Sequence, residues 1–324
     1  MIPFFRSIYV DEPWKYAGAL DVLASGMYIN GPAVKEFEDK VCAFYTVKHA
    51  IGCGSGSDAL YMACEAAYGD RKQWVGVPAL TFIATAESVG RIGAIPSFRD
   101  VDDETLCSDS QDVNVNLYGN HSKPCRVQDM CQAFGQEFNG ELGCFSFFPT
   151  KILGGCGDGG MVITDNDSYA GEIRSLQQHG RSKADKYEYE RHGINSRLDA
   201  VQAAILSVRL DGILDELVRR KELAQMYDEQ LKGYVRLPYS DSVYNYYVIR
   251  SEHRDKIKKH LDSQDIGCMI YFPKSLNQYA LFPDATCPIA EKACQEVLAL
   301  PFYPNMPDNH VKIVSDAVKF ALEN

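Results

Sequence analysis

Short apolar runs alternate with helical patterns through the first half of the chain, and few folds are open to a sequence built that way. The runs His49–Cys53, Trp74–Val77, Ala94–Phe98, Val113–Leu117, Arg126–Met130, Gly143–Phe147 and Met161–Thr164 read as strands. Helical stretches separate the early ones. Pro13 opens one that runs through Leu23, and from Pro32 to Tyr45 the residues Val34, Phe37, Val41 and Phe44 recur at 3.6-residue spacing. Ser57–Ala67 and Thr81–Val89 read as two more. Such alternation argues for an α/β fold with a mainly parallel sheet covered on both faces. A long helical run from Ser196 to Lys232, with Gly212 inside it, bridges to a different pattern. There a strand Tyr244–Arg250, a helix Arg254–Leu261, a strand Cys268–Phe272 and helices near Ala290–Leu298 and Asn309–Leu322 suggest a small α+β domain. The expected division is a large domain over 1–220 and a small C-terminal domain over 221–324.

Charge narrows the function. Lys+Arg 33 against Asp+Glu 44 gives −11, and the basic residues form no run, so nucleic acid and anionic membranes are poor partners. No stretch approaches the ~20 apolar residues of a membrane span, and the start MIPFFRSIYVDEPWK lacks the features of a signal peptide. Eleven cysteines are scattered, odd in number and without a C-x-x-C pair. Zinc and a disulfide framework are disfavoured, no metal site is expected, and a reducing cytoplasm fits.

Three segments carry chemistry. In HAIGCGSGSDALYMA a turn joins a strand to a helix, so free backbone N–H groups and the helix dipole offer an anion site, with Gly56 allowing close approach and Ser57 adding a hydroxyl. An ordinary tight turn would look similar. A dinucleotide site would need G-x-G-x-x-G and an acid ending the next strand, and a Walker loop needs G-K-[ST]; neither is present. In FSFFPTKILGGCGDGGMV, Lys151 follows a Phe-rich strand and precedes five glycines in seven residues, a flexible backbone. A lysine at the end of a core strand is a candidate for condensing with an aldehyde, the alternative being one that merely reaches solvent. Ser146, five residues earlier, can offer a hydroxyl to a phosphate. In VQDMCQAFG, Asp129 and Gln132 end another strand, and a buried carboxylate there needs a cationic partner. A protonated pyridine nitrogen would be one. Phe82, in PALTFIATAES, could stack on a ring or simply pack in the core. These parts follow one another at successive strand ends, where open α/β sheets bind ligands.

With those residues in view, the chain resembles the DegT/StrS-type nucleotide-sugar aminotransferases, fold type I pyridoxal-phosphate enzymes, over nearly its whole length. MYINGPAVKEFEDKVCAFYTVKHAIGCGSGSDAL, PALTFIATAESV, VNLYG, QDMCQAFG, CFSFFPTKILGGCGDGGMV and INSRLDAVQAAIL stand in family order. The resemblance implies that Lys151 forms the imine with pyridoxal 5′-phosphate and moves protons. It implies that Asp129 holds the pyridinium, Gln132 contacts the ring, Phe82 stacks on it, and Gly56, Ser57 and Ser146 bind the phosphate. Asn195 would reach the phosphate of the neighbouring subunit, so a homodimer with shared sites is implied; Arg197 and Asp199 fall near that boundary. The implied reaction moves an amino group from glutamate to a nucleotide-linked keto-deoxysugar. Lys35, Arg174, Arg181, Lys183, Lys186, Arg191 and Lys274 are candidate cations for the nucleoside diphosphate, and Arg181–Arg191 a candidate lid.

The family pattern is not matched everywhere. Gln128-Asp129 replaces Glu-Asp, Asn116 replaces a histidine before Leu-Tyr-Gly, and Tyr271-Phe272 replaces His-Tyr. Asp100–Val113 and the nine residues between Gly119 and Asp129 look too short for a helix, so a surface helix is expected to be missing in each while the sheet persists. Two other activities remain open: a sugar dehydratase using the same cofactor, which in the family carries histidine in place of the lysine, and a non-catalytic cofactor-binding regulatory protein.

Overall fold

A computed structural model describes residues 1–12, 16–69, 72–185 and 187–324. The expected start of a helix at Pro13 and the candidate cation Lys186 lie outside the described residues. In the first half the helices are α1 (Ile8–Asp11), α2 (Gly18–Ser25), α3 (Pro32–Tyr45), α4 (Gly56–Tyr68), α5 (Ile83–Arg91) and α6 (Asp167–Leu176). The strands are β1 (His49–Cys53), β2 (Trp74–Pro78), β3 (Ile95–Arg99), β4 (Val113–Val115), β5 (Val127–Asp129), β6 (Leu142–Ser146) and β7 (Gly160–Thr164). Each begins and ends within a few residues of its sequence-predicted place. Pro32 occupies the first position of α3, where its missing N–H costs no bond, and the helix buries Val34, Phe37 and Val41. Helix α6 is not among the expected elements, although Asn166 caps it by accepting the amides of Ser168 and Tyr169.

Five strands form one sheet in the order β1-β7-β6-β5-β4. The pairs β4–β5 and β5–β6 are parallel, whereas β7 runs antiparallel to both β6 and β1. The reversal follows from the connection: the glycine-rich segment between Ser146 and Gly160 contains no helix to carry the chain back to the far edge. Strands β2 and β3 form a separate parallel pair. Side chains tie that pair to the segment entering β4, because the Gly76 amide donates to Asp112 (2.8 Å) and its carbonyl accepts from Ser110 (2.9 Å). Any side chain at 76 would collide there, a Cβ falling 2.7 Å from the Ser110 hydroxyl.

No α-helix stands between β3 and β4, or between β4 and β5, and the β4–β5 ladder is intact. Buried amides do the covering. Asn114 donates to the Ser108 carbonyl (2.8 Å) and Asn116 to that of Asn120 (2.9 Å). Gln128 donates to Asn116 (2.9 Å) and accepts from the Asn139 amide (2.9 Å). All three side chains are fully buried, so neutral amides at 116 and 128 satisfy loop groups that would otherwise be orphaned, whereas a carboxylate at 128 would be a second buried charge beside Asp129.

The second half departs further from expectation. The long helical run is two helices, α7 (Ala200–Asp211) and α8 (Ile213–Leu231), broken at Gly212, and Asp199 ahead of them is extended. Then come β8 (Tyr247–Arg250), α9 (Arg254–Ser263), α10 (Pro288–Glu296), β9 (Val297–Leu300) and α11 (Asp308–Glu323). Cys268–Phe272 is not a strand; it makes a single bridge, Met269 to Ala299. The partner of β8 is β9, a VLAL run buried at every residue, where the sequence suggests the tail of a helix. A short apolar run has no distinguishing period, and Pro301 after it is the one stop signal.

Strand β8 alternates between two cores. Val248 faces the core of the large sheet, while Tyr247 and Ile249 join a second core with Leu223, Tyr227 and Leu231 of α8 and Val314 and Val318 of α11. Ile213, at the start of α8, packs instead with α3 and α7. Helix α8 thus begins in one core and ends in another. The first residues join the second of these: Ile2 bonds to Asp265 and Gly267 and packs in the core with α8 and α11.

Candidate active site

The N-terminus of α4 abuts the end of β6. Ser55 caps the helix, its hydroxyl accepting from the Asp58 amide (3.1 Å), and the following amides of Gly56 and Ser57 have no partner within the helix. A Cβ at Gly56 would lie 2.6 Å from that of Ser146 and 2.9 Å from the Cys131 sulfur. Glycine therefore lets the helix end sit directly on the strand end, which brings the Ser57 and Ser146 hydroxyls and the free amides to one spot, an arrangement suited to a phosphate. Ser196 reinforces it by donating to Asp58 (2.8 Å) while accepting from the Gly54 amide (2.9 Å).

Asp129 ends β5, buried. One carboxylate oxygen accepts from the Thr85 hydroxyl (2.9 Å), the other from the Cys131 amide (3.1 Å). Both donors are neutral, and among the described residues no cationic side chain pairs with the carboxylate. A buried negative charge held by neutral donors lacks a counter-ion. Gln132 accepts from the Tyr118 amide (2.8 Å). Phe82, just ahead of α5, is 54% exposed and stands on the cavity wall near Phe272, so it is not a core residue.

Lys151 closes a turn by donating its amide to the Phe148 carbonyl (2.9 Å). The backbone after it is glycine-rich but not loose, which corrects the expectation of a flexible segment. Arg209 of α7 donates to the carbonyls of Ile152 (2.6 Å) and Gly154 (2.5 Å) and pairs with Glu216 (3.1 Å), all buried. The Tyr9 hydroxyl donates to Gly154 (2.8 Å), and Gln202 accepts from the Cys156 amide (2.9 Å). The glycines leave room for these clamps; a Cβ at Gly155 would fall 2.7 Å from Gln202. Arg209→Ala strips two loop carbonyls and Glu216 of a buried guanidinium. An expected loss of about 3–5 kcal/mol should appear in urea denaturation, with cofactor affinity falling in parallel.

These groups border one cavity of about 330 Å³. Of the eight residues singled out from the sequence, Gly56, Ser57, Phe82, Asp129, Gln132, Ser146 and Lys151 line it. Asn195 does not; it is exposed, bridged to Gln178. Among the described residues, Lys151 is the only cation that lines it. Lys35 instead pairs with Asp39, Arg174 with the buried Glu38 and Arg191 with Glu172, while Lys274 lies 4.6 Å over the Tyr279 ring. Arg181 and Lys183 border a separate cleft. The sequence alone does not single out Thr85, Thr150 and Tyr246. Thr85 carries a signal, lying three residues after Phe82 at helical spacing.

Residues 14–122 and 115–319 match the DegT/DnrJ/EryC1/StrS aminotransferase family. The chain belongs to that family. It is 33% identical to a UDP-2-acetamido-2-deoxy-3-oxo-D-glucuronate aminotransferase of Pseudomonas aeruginosa, over 93% of this chain and 94% of that protein. The fold superposes on a DegT/DnrJ/EryC1/StrS aminotransferase from Brucella abortus with a TM-score of 0.91 at 29% identity, covering 98% of this chain and 97% of that one. NtdA from Bacillus subtilis, solved with bound cofactor PMP, matches at 0.89 and 26% identity, covering 97% and 82%. DegT/DnrJ/EryC1/StrS aminotransferases use pyridoxal 5′-phosphate, and the cavity fits it. The helix-end cradle is sized by Gly56, the buried Asp129 pairs with no cation among the described residues, and a lysine lines the same cavity. No described helix is long and apolar enough to cross a membrane.

Proposed function

We propose that this aminotransferase moves an amino group from glutamate to a nucleotide-linked keto-deoxysugar. The observation that carries the proposal is the meeting of Lys151, Asp129 and the α4 cradle on one cavity. When bound, pyridoxal 5′-phosphate supplies an electron sink for the carbanion formed as a proton leaves the amino carbon. Gly56, Ser57 and Ser146 would hold its phosphate. The carboxylate of Asp129, fixed by Thr85 and the Cys131 amide, would keep the ring nitrogen protonated. Gln132 would meet the ring edge and Phe82 its face. The Lys151 amine would hold the cofactor's aldehyde group and would carry a proton to and from the amino carbon of the substrate. Aromatic residues on the cavity wall (Phe82, Phe148, Phe272) would exclude water.

A homodimer completes the assignment. Asn195 is exposed and outside its own cavity, which suits a residue serving the partner's phosphate. Met27, Tyr28, Ile29, Phe82, Ile83 and Phe148 are exposed apolar groups that a second copy would cover. Because the described residues of a single chain present one cation to the cavity, the Arg181–Arg191 stretch of the partner is the proposed source of charge for the sugar nucleotide. Eleven free thiols favour the cytoplasm.

Glutamate added to the cofactor-loaded protein should bleach the visible band and yield 2-oxoglutarate. A panel of nucleotide keto-sugars should then restore the band, with the aminated product read by mass. A band indifferent to glutamate would reject transamination from that donor.

A further inference from the structure

Both chain neighbours of Lys151 are held by two adjacent residues from the other side of the molecule. The Ile152 amide donates to Asn245 (3.1 Å), and the Thr150 hydroxyl lies 3.3 Å from that of Tyr246. Residues 245 and 246 are fixed in turn: the Asn245 amide donates to the Tyr118 carbonyl (2.8 Å), and the Tyr246 ring stacks on Tyr271 at 4.8 Å and on Phe4 at 5.9 Å. Tyr118 is the residue whose amide Gln132 accepts, and its hydroxyl donates to the Tyr271 carbonyl. A continuous path of hydrogen bonds thus runs around the cavity from Gln132 through Tyr118 and 245–246 to the turn that carries the lysine. Tyr246 and Thr150 both line the cavity.

We propose that Tyr246 is a positioning residue, which orients the Lys151 amine for attack by bonding the Thr150 hydroxyl. This rests on the assignment of Lys151 as the amine that captures the cofactor. The hydroxyl pair spans from the segment leading into β8 to the loop after β6, so the placement of the C-terminal unit is felt at the lysine. The phenol meets the Tyr271 side chain as well as Thr150, whereas the ring makes the stacks with Tyr271 and Phe4.

Tyr246→Phe keeps the ring and removes the bond. Its apo-protein should capture pyridoxal 5′-phosphate about tenfold more slowly, as followed by absorbance, since the amine is less often aligned. Affinity for deoxypyridoxine phosphate, which has no aldehyde and cannot react with Lys151, should stay unchanged, as should the urea midpoint. In turnover, kcat should fall about tenfold with KM for glutamate nearly constant. Thr150→Val should reproduce the slow capture, the double variant should be no slower than either single one, and Thr150→Ser should capture at the wild-type rate. Capture at the wild-type rate in Tyr246→Phe overturns the proposal. So does a parallel loss of deoxypyridoxine phosphate affinity, which would mark general damage to the site. A wild-type protein that binds the cofactor without forming the visible band would overturn the lysine assignment itself, and the positioning role with it.

Discussion

Lys151→Ala is expected to lower transamination by at least about 10⁴-fold and to remove the visible band of the lysine-bound cofactor. The size follows from what else the cavity holds. Among the described residues that line it, Lys151 is the only cation and none is a histidine. Of the other proton-bearing groups, burial pushes the Cys131 thiol well above its ordinary range, and burial also raises the Tyr271 phenol. Neither can take a proton near neutral pH, and the carboxylate of Asp129 is held by Thr85 and the Cys131 amide. None of these three groups is therefore placed to inherit the proton transfer. The turn is fixed by the lysine's backbone rather than by its side chain, so the variant should fold with an unchanged urea midpoint and should still bind deoxypyridoxine phosphate through the α4 cradle. Small alkylamines added to the variant should recover part of the rate, because the missing part is an amine and the space it leaves is open. A Lys151→Ala protein retaining more than a few per cent of wild-type turnover would place the proton transfer elsewhere.

How far the sequence discloses this site depends on whether a signal is local. Gly56, Asp129 and Lys151 stand beside turns and strand ends, and a turn residue next to an apolar run is visible in one window of sequence. The large sheet is legible for the same reason. What stays hidden is long-range. Nothing local marks Asn245 and Tyr246 as neighbours of Thr150 and Ile152, nearly a hundred residues away. Nothing local reveals that Arg209 stiffens a five-glycine segment that composition alone suggests is loose. The reversed direction of β7 can be inferred from the missing crossover helix, but the pairing of β9 with β8 cannot. Its VLAL run fits a helix or a strand equally well, and tertiary packing decides. The departures at Asn116 and Gln128 read in the sequence only as breaks in the family pattern. In the fold they are the amides that seal two shortened connections.

Asp129→Asn should separate function from stability. In the chain alone the carboxylate is buried, accepts two neutral hydrogen bonds and pairs with no cation among the described residues. Keeping such a charge dry costs the empty protein free energy. Asparagine is nearly isosteric. Its oxygen can go on accepting from the Cys131 amide, and its NH₂ would then face Thr85, whose hydroxyl can turn to accept because Thr81 lies 3.1 Å away as an alternative partner. The empty variant should thus be as stable as the wild type in urea, or more so by about 1 kcal/mol. Loaded with cofactor the order should reverse, since the ring nitrogen loses the anion that keeps it protonated, and the extra stability conferred by the cofactor should shrink. Activity should fall about 10²–10⁴-fold while Lys151 still forms the visible band. If instead the empty variant is destabilised by several kcal/mol, Asp129 is a structural acceptor for Thr85 and Cys131 and its charge was never waiting for a partner. If activity survives the substitution, the ring nitrogen is protonated without it.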